Sequence, residues 1–346
     1  MIYFNSDYLE GAHPAIMTRL METNMVQTVG YGEDEYCEAA REKIKSACQA
    51  PEADVHFLVG GTQTNTTVIA AILRPWQGVL SAVSGHINCH EAGAIESTGH
   101  KVITLPTNNG KITAQQVRDY VEWHKNDEST EHIVQPGMVY ISFPTEGGTL
   151  YSKAELTALY DTCKQYGLPL FIDGARLGYG LVADGNDITL PELARLCDVF
   201  YIGGTKVGAL FGEAVVIMNE TLKKDFRFIM KQRGGRLAKG RLLGIQFDAL
   251  FTDDLYLTIS RHAIDMAYQI REIFVSAGYP LLFDSPTNQQ YPIMPDAELA
   301  EIGKSFGYEY WERVDETHSG VRFCASWATT QENVDALREA VNALKK

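Results

Sequence analysis

The chain has 346 residues, room for two closely packed domains, with 45% hydrophobic and 21% charged residues and a net charge of −14. This composition excludes a disordered chain, and an acidic balance without any basic stripe excludes a nucleic acid as partner, although a few local cations can still build an anion pocket. The six cysteines are scattered with no CxxC pair, so neither a disulfide framework nor a metal site is expected; with no leader-like start and no apolar run of ~18 residues, a cytoplasmic protein is expected.

Short apolar, β-rich runs predict strands at 55–59, 78–83, 138–143, 168–172 and 199–202. Helical patterns at 62–73, 88–98, 113–125, 153–166 and 190–196 fill the intervals and suit crossovers on a sheet face. The alternation predicts an α/β fold with a mostly parallel sheet. A strand at 213–218 follows a glycine-containing loop with no room for a crossover helix, so antiparallel pairing at or near an edge is expected. Beyond residue 253 come a long amphipathic helix (257–277), weak strands at 290–293 and 321–324, and a closing helix from 330. The expected division is a large domain, 1–250, including the N-terminal segment, and a smaller α+β domain, 251–346, with no flexible linker between them. Ligands favour such junctions.

Three features carry chemistry. Gly60-Gly61-Thr62-Gln63-Thr64-Asn65 follows a predicted strand and opens a helix, so its backbone amides can face a phosphate; a plain tight turn fits the same residues. Asp173 ends the apolar run Phe171-Ile172, at the strand edge where open α/β sheets bind ligands. It can pair with a protonated pyridine nitrogen, or simply cap a helix. Lys206 sits in Gly203-Gly204-Thr205-Lys206-Val207-Gly208, where desolvation would leave its amine neutral and nucleophilic; a solvated loop lysine is the alternative. In this order the three match the anchors of pyridoxal 5′-phosphate (PLP): phosphate cradle, ring-nitrogen partner and Schiff-base lysine, with Thr205 beside the lysine in the cofactor-binding set. His86, between a strand and a helix, is placed to stack on the ring.

The sequence resembles the low-specificity L-threonine aldolases of the β-eliminating lyase group, PLP enzymes with the aspartate-aminotransferase-like fold (fold type I). Asn5-Ser6-Asp7 is similar to the family's R-S-D start and Tyr31-Gly32-Glu33-Asp34 to its Y-G-D-D segment. Similarity continues through 57–65, His86 with Glu91-Ala92-Gly93, and Asp173-Gly174-Ala175-Arg176. The resemblance implies phosphate contacts from Gly61 and Thr62, stacking by His86, and a substrate carboxylate held by Ser6, Arg176 and Arg322. A guanidinium suits that task because it grips a carboxylate with two parallel hydrogen bonds. It also implies a homotetramer or homodimer in which Tyr31 reaches a neighbouring site, and a phosphate contact from Lys239 or Arg236 near Gly234-Gly235.

Where the family has Thr-His-Asn-Gly, this chain has Thr145-Glu146-Gly147-Gly148. Glu146 can still accept a proton there, so it joins Lys206 and His86 as a candidate catalytic residue. The expected reaction is cleavage of a β-hydroxy-α-amino acid, of the L-threonine or L-allo-threonine type, to glycine and an aldehyde. β-Elimination or transamination on the same scaffold would use the same anchors, and a non-catalytic phosphate- or nucleotide-binding module would use only the Gly60 loop.

Overall fold

Seven strands form one sheet in the computed structural model, which describes residues 1–345. They are β1 (Asp54–Leu58), β2 (Gln77–Ala82), β3 (Val102–Leu105), β4 (Gln135–Ser142), β5 (Leu170–Asp173), β6 (Val199–Gly203) and β7 (Glu213–Ile217). Their order is β1-β7-β6-β5-β4-β2-β3. All neighbours from β3 to β6 are parallel, and β7 is antiparallel to both β6 and β1. The antiparallel strand expected near an edge therefore lies one place inside it.

Central strands of a parallel sheet are covered on both faces, which explains the unbroken apolar runs of β5 and β6. Period-two alternation sends Ile172 and Ile202 into one core cluster and Phe171, Val199 and Tyr201 into another on the opposite face. One sequence expectation fails here. The helix at 88–98 is only the turn His86–Cys89 and a 3-10 turn, Glu96–Thr98, because Ala92 and Gly93 take positive φ between them. The edge strand β3, and the helices Pro14–Thr23, Glu35–Cys48 and Arg241–Leu250, had no sequence expectation.

The C-terminal part forms a small antiparallel sheet in which His318–Cys324 pairs with Ile293–Pro295, Glu309–Arg313 and Gln289–Gln290. Its core also takes Phe4, because Ile2–Tyr3 pairs with Phe306–Gly307. The helix Leu255–Ser276 belongs to both cores: Tyr256, Ile259 and Ala263 pack under the large sheet, and Ile270, Ile273 and Phe274 under the small one. Among the described residues no helix is long and apolar enough to cross a membrane. The parallel strands end on a common edge, where His86 follows β2, Glu146 follows β4, Asp173 ends β5 and Lys206 follows β6.

Candidate active site

Asp173 is buried at the floor of this edge. Its Oδ2 accepts from the Tyr140 hydroxyl at 2.6 Å and from Asn65 Nδ2 at 3.1 Å. Its Oδ1 accepts from the Ala175 N–H at 3.0 Å and from the Tyr201 hydroxyl. Burial pushes the carboxyl pKa up, but the His86 charge and the two tyrosine donors overcome it and hold the group below its usual value. An ionised carboxylate in a buried place is what a protonated ring nitrogen requires.

Lys206 lies between β6 and β7, half-buried. Desolvation, aided by the Arg176 charge, lowers its pKa against the pull of Asp7, Asp173 and Glu213, so the neutral amine is easier to reach than in a free lysine. Glu213 is a residue that the sequence reading missed. Its buried carboxyl group, whose pKa burial raises to about 8, accepts from Thr205 Oγ at 2.9 Å and from the Gly204 N–H at 3.0 Å, fastening the two residues that precede the lysine. Thr205 Oγ also accepts from the Gly212 N–H at 3.0 Å, so its hydroxyl clamps the loop. A charged residue opening an otherwise apolar strand right after a glycine was the available signal.

His86 Nδ1 lies 2.8 Å from Glu91 Oε1. Burial opposes protonation of this ring, but the Glu91 hydrogen bond and the Asp173 charge win and its pKa is raised. Asn65 donates to Glu91 at 2.7 Å as well as to Asp173, so one amide links both carboxylates. The backbone N–H of His86 donates to Glu146 Oε1 at 2.9 Å, and Ser142 Oγ donates to the same oxygen at 2.6 Å. Burial pushes the Glu146 carboxyl pKa up.

Arg176 is held by Asp7 through two parallel bonds, Nε to Oδ2 at 2.7 Å and Nη2 to Oδ1 at 3.1 Å. Burial would raise the Asp7 pKa, yet Arg176 and Lys206 bring it down to about 2. Arg322 has neutral partners instead: Gln289 Oε1 at 3.1 Å and the Asn5 carbonyl at 3.0 Å. Ser6 is buried beside them in sequence and its Oγ has no hydrogen-bond partner. Tyr8, His86, Glu146, Arg176, Lys206 and Arg322 line one cleft of about 410 Å³, with Glu309 and Trp311 on its C-terminal wall. A larger groove of about 1040 Å³, lined by Lys43, Ile188, Phe251 and Leu257 among others, contains none of these groups.

The remaining expected residues lie outside the cleft lining. Gly61 and Thr62 begin the helix Gly61–Ile72, whose N-cap, Gly60, makes no side-chain cap bond, leaving the first amides available to an anion. A Cβ at Gly61 would meet the Tyr201 hydroxyl at 3.3 Å, so the helix start abuts the tyrosine that holds Asp173. Tyr31 is exposed, with Lys231 Nζ 4.6 Å above its ring, and Lys239 is exposed nearby. Neither lines the cleft of its own chain. An amine of lowered basicity, a buried ionised carboxylate and an uncapped helix start fit PLP.

The beta-eliminating lyase family matches residues 4–340. The low specificity L-threonine aldolase of Pseudomonas aeruginosa is 29% identical over 337 residues, 96% of this chain and 95% of that protein. A solved structure of Leishmania major threonine aldolase matches with a TM-score of 0.97 and 42% identity, covering 100% of both chains. Thermus thermophilus aspartate aminotransferase, at 13% identity, shares the fold with a TM-score of 0.72 over 99% of this chain and 91% of that one. The expected fold type I architecture and the resemblance drawn from the motifs both hold. The chain belongs to the beta-eliminating lyase family and is a PLP-dependent lyase.

Proposed function

We propose that the protein cleaves a β-hydroxy-α-amino acid of the L-threonine or L-allo-threonine type to glycine and an aldehyde. The observation that carries this reading is the convergence of Lys206, Arg176, Arg322, His86 and Glu146 on one cleft. Bound PLP supplies a sink for the electrons released when the Cα–Cβ bond breaks. Lys206 provides the amine for the cofactor aldehyde, and Asp173 provides the counter-charge for the ring nitrogen. His86 covers the ring, while Gly61 and Thr62 hold the phosphate. Arg322 and Arg176 hold the substrate carboxylate, with Ser6 Oγ as a third contact. Glu146 takes the β-hydroxyl proton: Oε1 is fixed by Ser142 and the His86 N–H, and burial moves its pKa toward the working range.

The exposure of Tyr31 and Lys239 supports a homodimer or homotetramer in which each serves a neighbouring site. Hydrophobic clusters support the division into a cofactor domain, 1–250, and a smaller domain, 251–346, with the N-terminal strand crossing to the latter and the first half of the helix Leu255–Ser276 packing into the core of the former. A cytoplasmic location is part of the same reading.

The test is product analysis of the PLP-loaded protein with L-threonine and L-allo-threonine. Glycine and acetaldehyde are expected; a keto acid with ammonia, or a required keto-acid acceptor, would overturn the aldolase reading. Lys206→Ala should abolish the visible absorption band that PLP gives when joined to the wild-type protein.

A further inference from the structure

Between the two cores runs an unusually polar interior segment. Ser285, Thr287, Asn288, Gln289 and Gln290 are all fully buried. Polar side chains in such a place are mostly held by hydrogen bonds, and here only Asn288 Oδ1 and Gln290 Oε1 lack one, so the partners of the rest reveal what the segment holds. Gln289 Oε1 accepts from Arg322 Nη1 at 3.1 Å, and its Nε2 donates to the Glu146 carbonyl at 3.4 Å. Its backbone pairs with Cys324, two residues from Arg322. Asn288, its neighbour, donates to Asp7 Oδ2 at 2.9 Å, behind Arg176.

The two guanidinium groups consequently differ in charge balance. Asp7 neutralises Arg176 through a bidentate pair. Arg322 touches the Gln289 amide, the Asn5 carbonyl and, at 5.7 Å, the face of Trp311. Glu309 is its cross-strand neighbour, but the two make no ion pair. An amide oxygen can aim a guanidinium without cancelling its charge; a carboxylate there would do both.

We propose that Gln289 is a positioning residue for carboxylate recognition: it aims Arg322 at the cleft, keeps its charge free, and ties it to the Glu146 backbone at a fixed separation. The proposal rests on the reading that Arg322 binds the substrate carboxylate.

The experiment measures the glycine Kd of the PLP-loaded protein from the change in its visible spectrum, together with KM and kcat for L-threonine. Gln289→Glu is nearly isosteric and gives Arg322 a competing carboxylate. Glycine Kd and substrate KM should rise roughly tenfold or more, with kcat altered much less. Gln289→Met removes the amide while keeping the bulk, and it decides the matter if the Glu variant does not fold; Kd should rise severalfold. A folded variant with unchanged Kd overturns the proposal. Arg322→Ala separates the two claims. If Arg322→Ala raises Kd while the Gln289 variants do not, positioning by Gln289 fails alone; if Arg322→Ala leaves Kd unchanged, the carboxylate reading fails and this proposal with it. In an Arg322→Ala background, Gln289→Met should add nothing to Kd.

Discussion

Tyr201→Phe isolates one of the bonds that keep Asp173 ionised. The ring stays in place, so no cavity opens, and Asp173 Oδ1 is left with the Ala175 N–H alone at 3.0 Å. A hydrogen bond to a charged group contributes about 1.5–3 kcal/mol, so the apoprotein should lose about 2 kcal/mol. The pH dependence gives the sharper signature. In the wild type the folded pKa lies below 3.8, so the stabilisation from ionised Asp173 is complete above that value and is lost as pH falls through the folded pKa. Without the Tyr201 donor, burial gains and the pKa rises, so ionised Asp173 stabilises the fold less at neutral pH, and protonation in acid removes the difference. The gap between wild type and variant should be widest near neutrality and narrow on acidification. Urea denaturation of both apoproteins across pH tests this. A loss below ~0.5 kcal/mol, or a gap that widens in acid, would refute the argument that tyrosine donors overcome burial at Asp173.

Asp7→Asn leaves the Arg176 charge in place without its bidentate partner, which should cost about 3–5 kcal/mol and lower Tm; an unchanged thermal denaturation profile would show that the pair is not structural. Because the Asp7 pKa is depressed to about 2, the wild-type pair should contribute fully above 3.8 and be lost only as pH approaches 2. Glu146→Gln should lower kcat by ~10²–10⁴ with a small change in KM. Since burial raises the Glu146 pKa above 4.5, the wild-type rate should fall in acid as the carboxylate takes its proton, and the pH–rate profile of the variant should lack that limb.

The large sheet was legible because its strands are buried on both faces, and unbroken runs such as 170–172 and 199–202 leave little else to be. The placement of Lys206, Asp173 and His86 at strand ends was legible because apolar runs mark where each strand stops, and such a sheet binds ligands at that edge. Hydroxyl partners were not: Tyr140 and Tyr201 read as ordinary strand residues, since periodicity fixes the face of a side chain and says nothing of the carboxylate beneath it. Glu309–Arg313 was missed because nearly every residue in it is exposed, so it carries no alternation. The false helix at 88–98 shows that composition alone cannot reveal positive φ at a non-glycine position such as Ala92.

A chain with a net charge of −14 binds an anionic substrate group in this reading, and the site shows how the two coexist. Long-range charge is blunted by solvent, whereas the cleft is decided by contacts of 3 Å or so. There Asp7 cancels Arg176, and Asp173 is satisfied by tyrosine and amide donors. The Lys206 amine is shifted toward its neutral form. Arg322, by contrast, meets only neutral groups and an aromatic face. An α-carboxylate completes that balance. An amine lacking it would desolvate the cleft while leaving the guanidinium without an anion, so simple amines should bind far more weakly than amino acids of the same side chain.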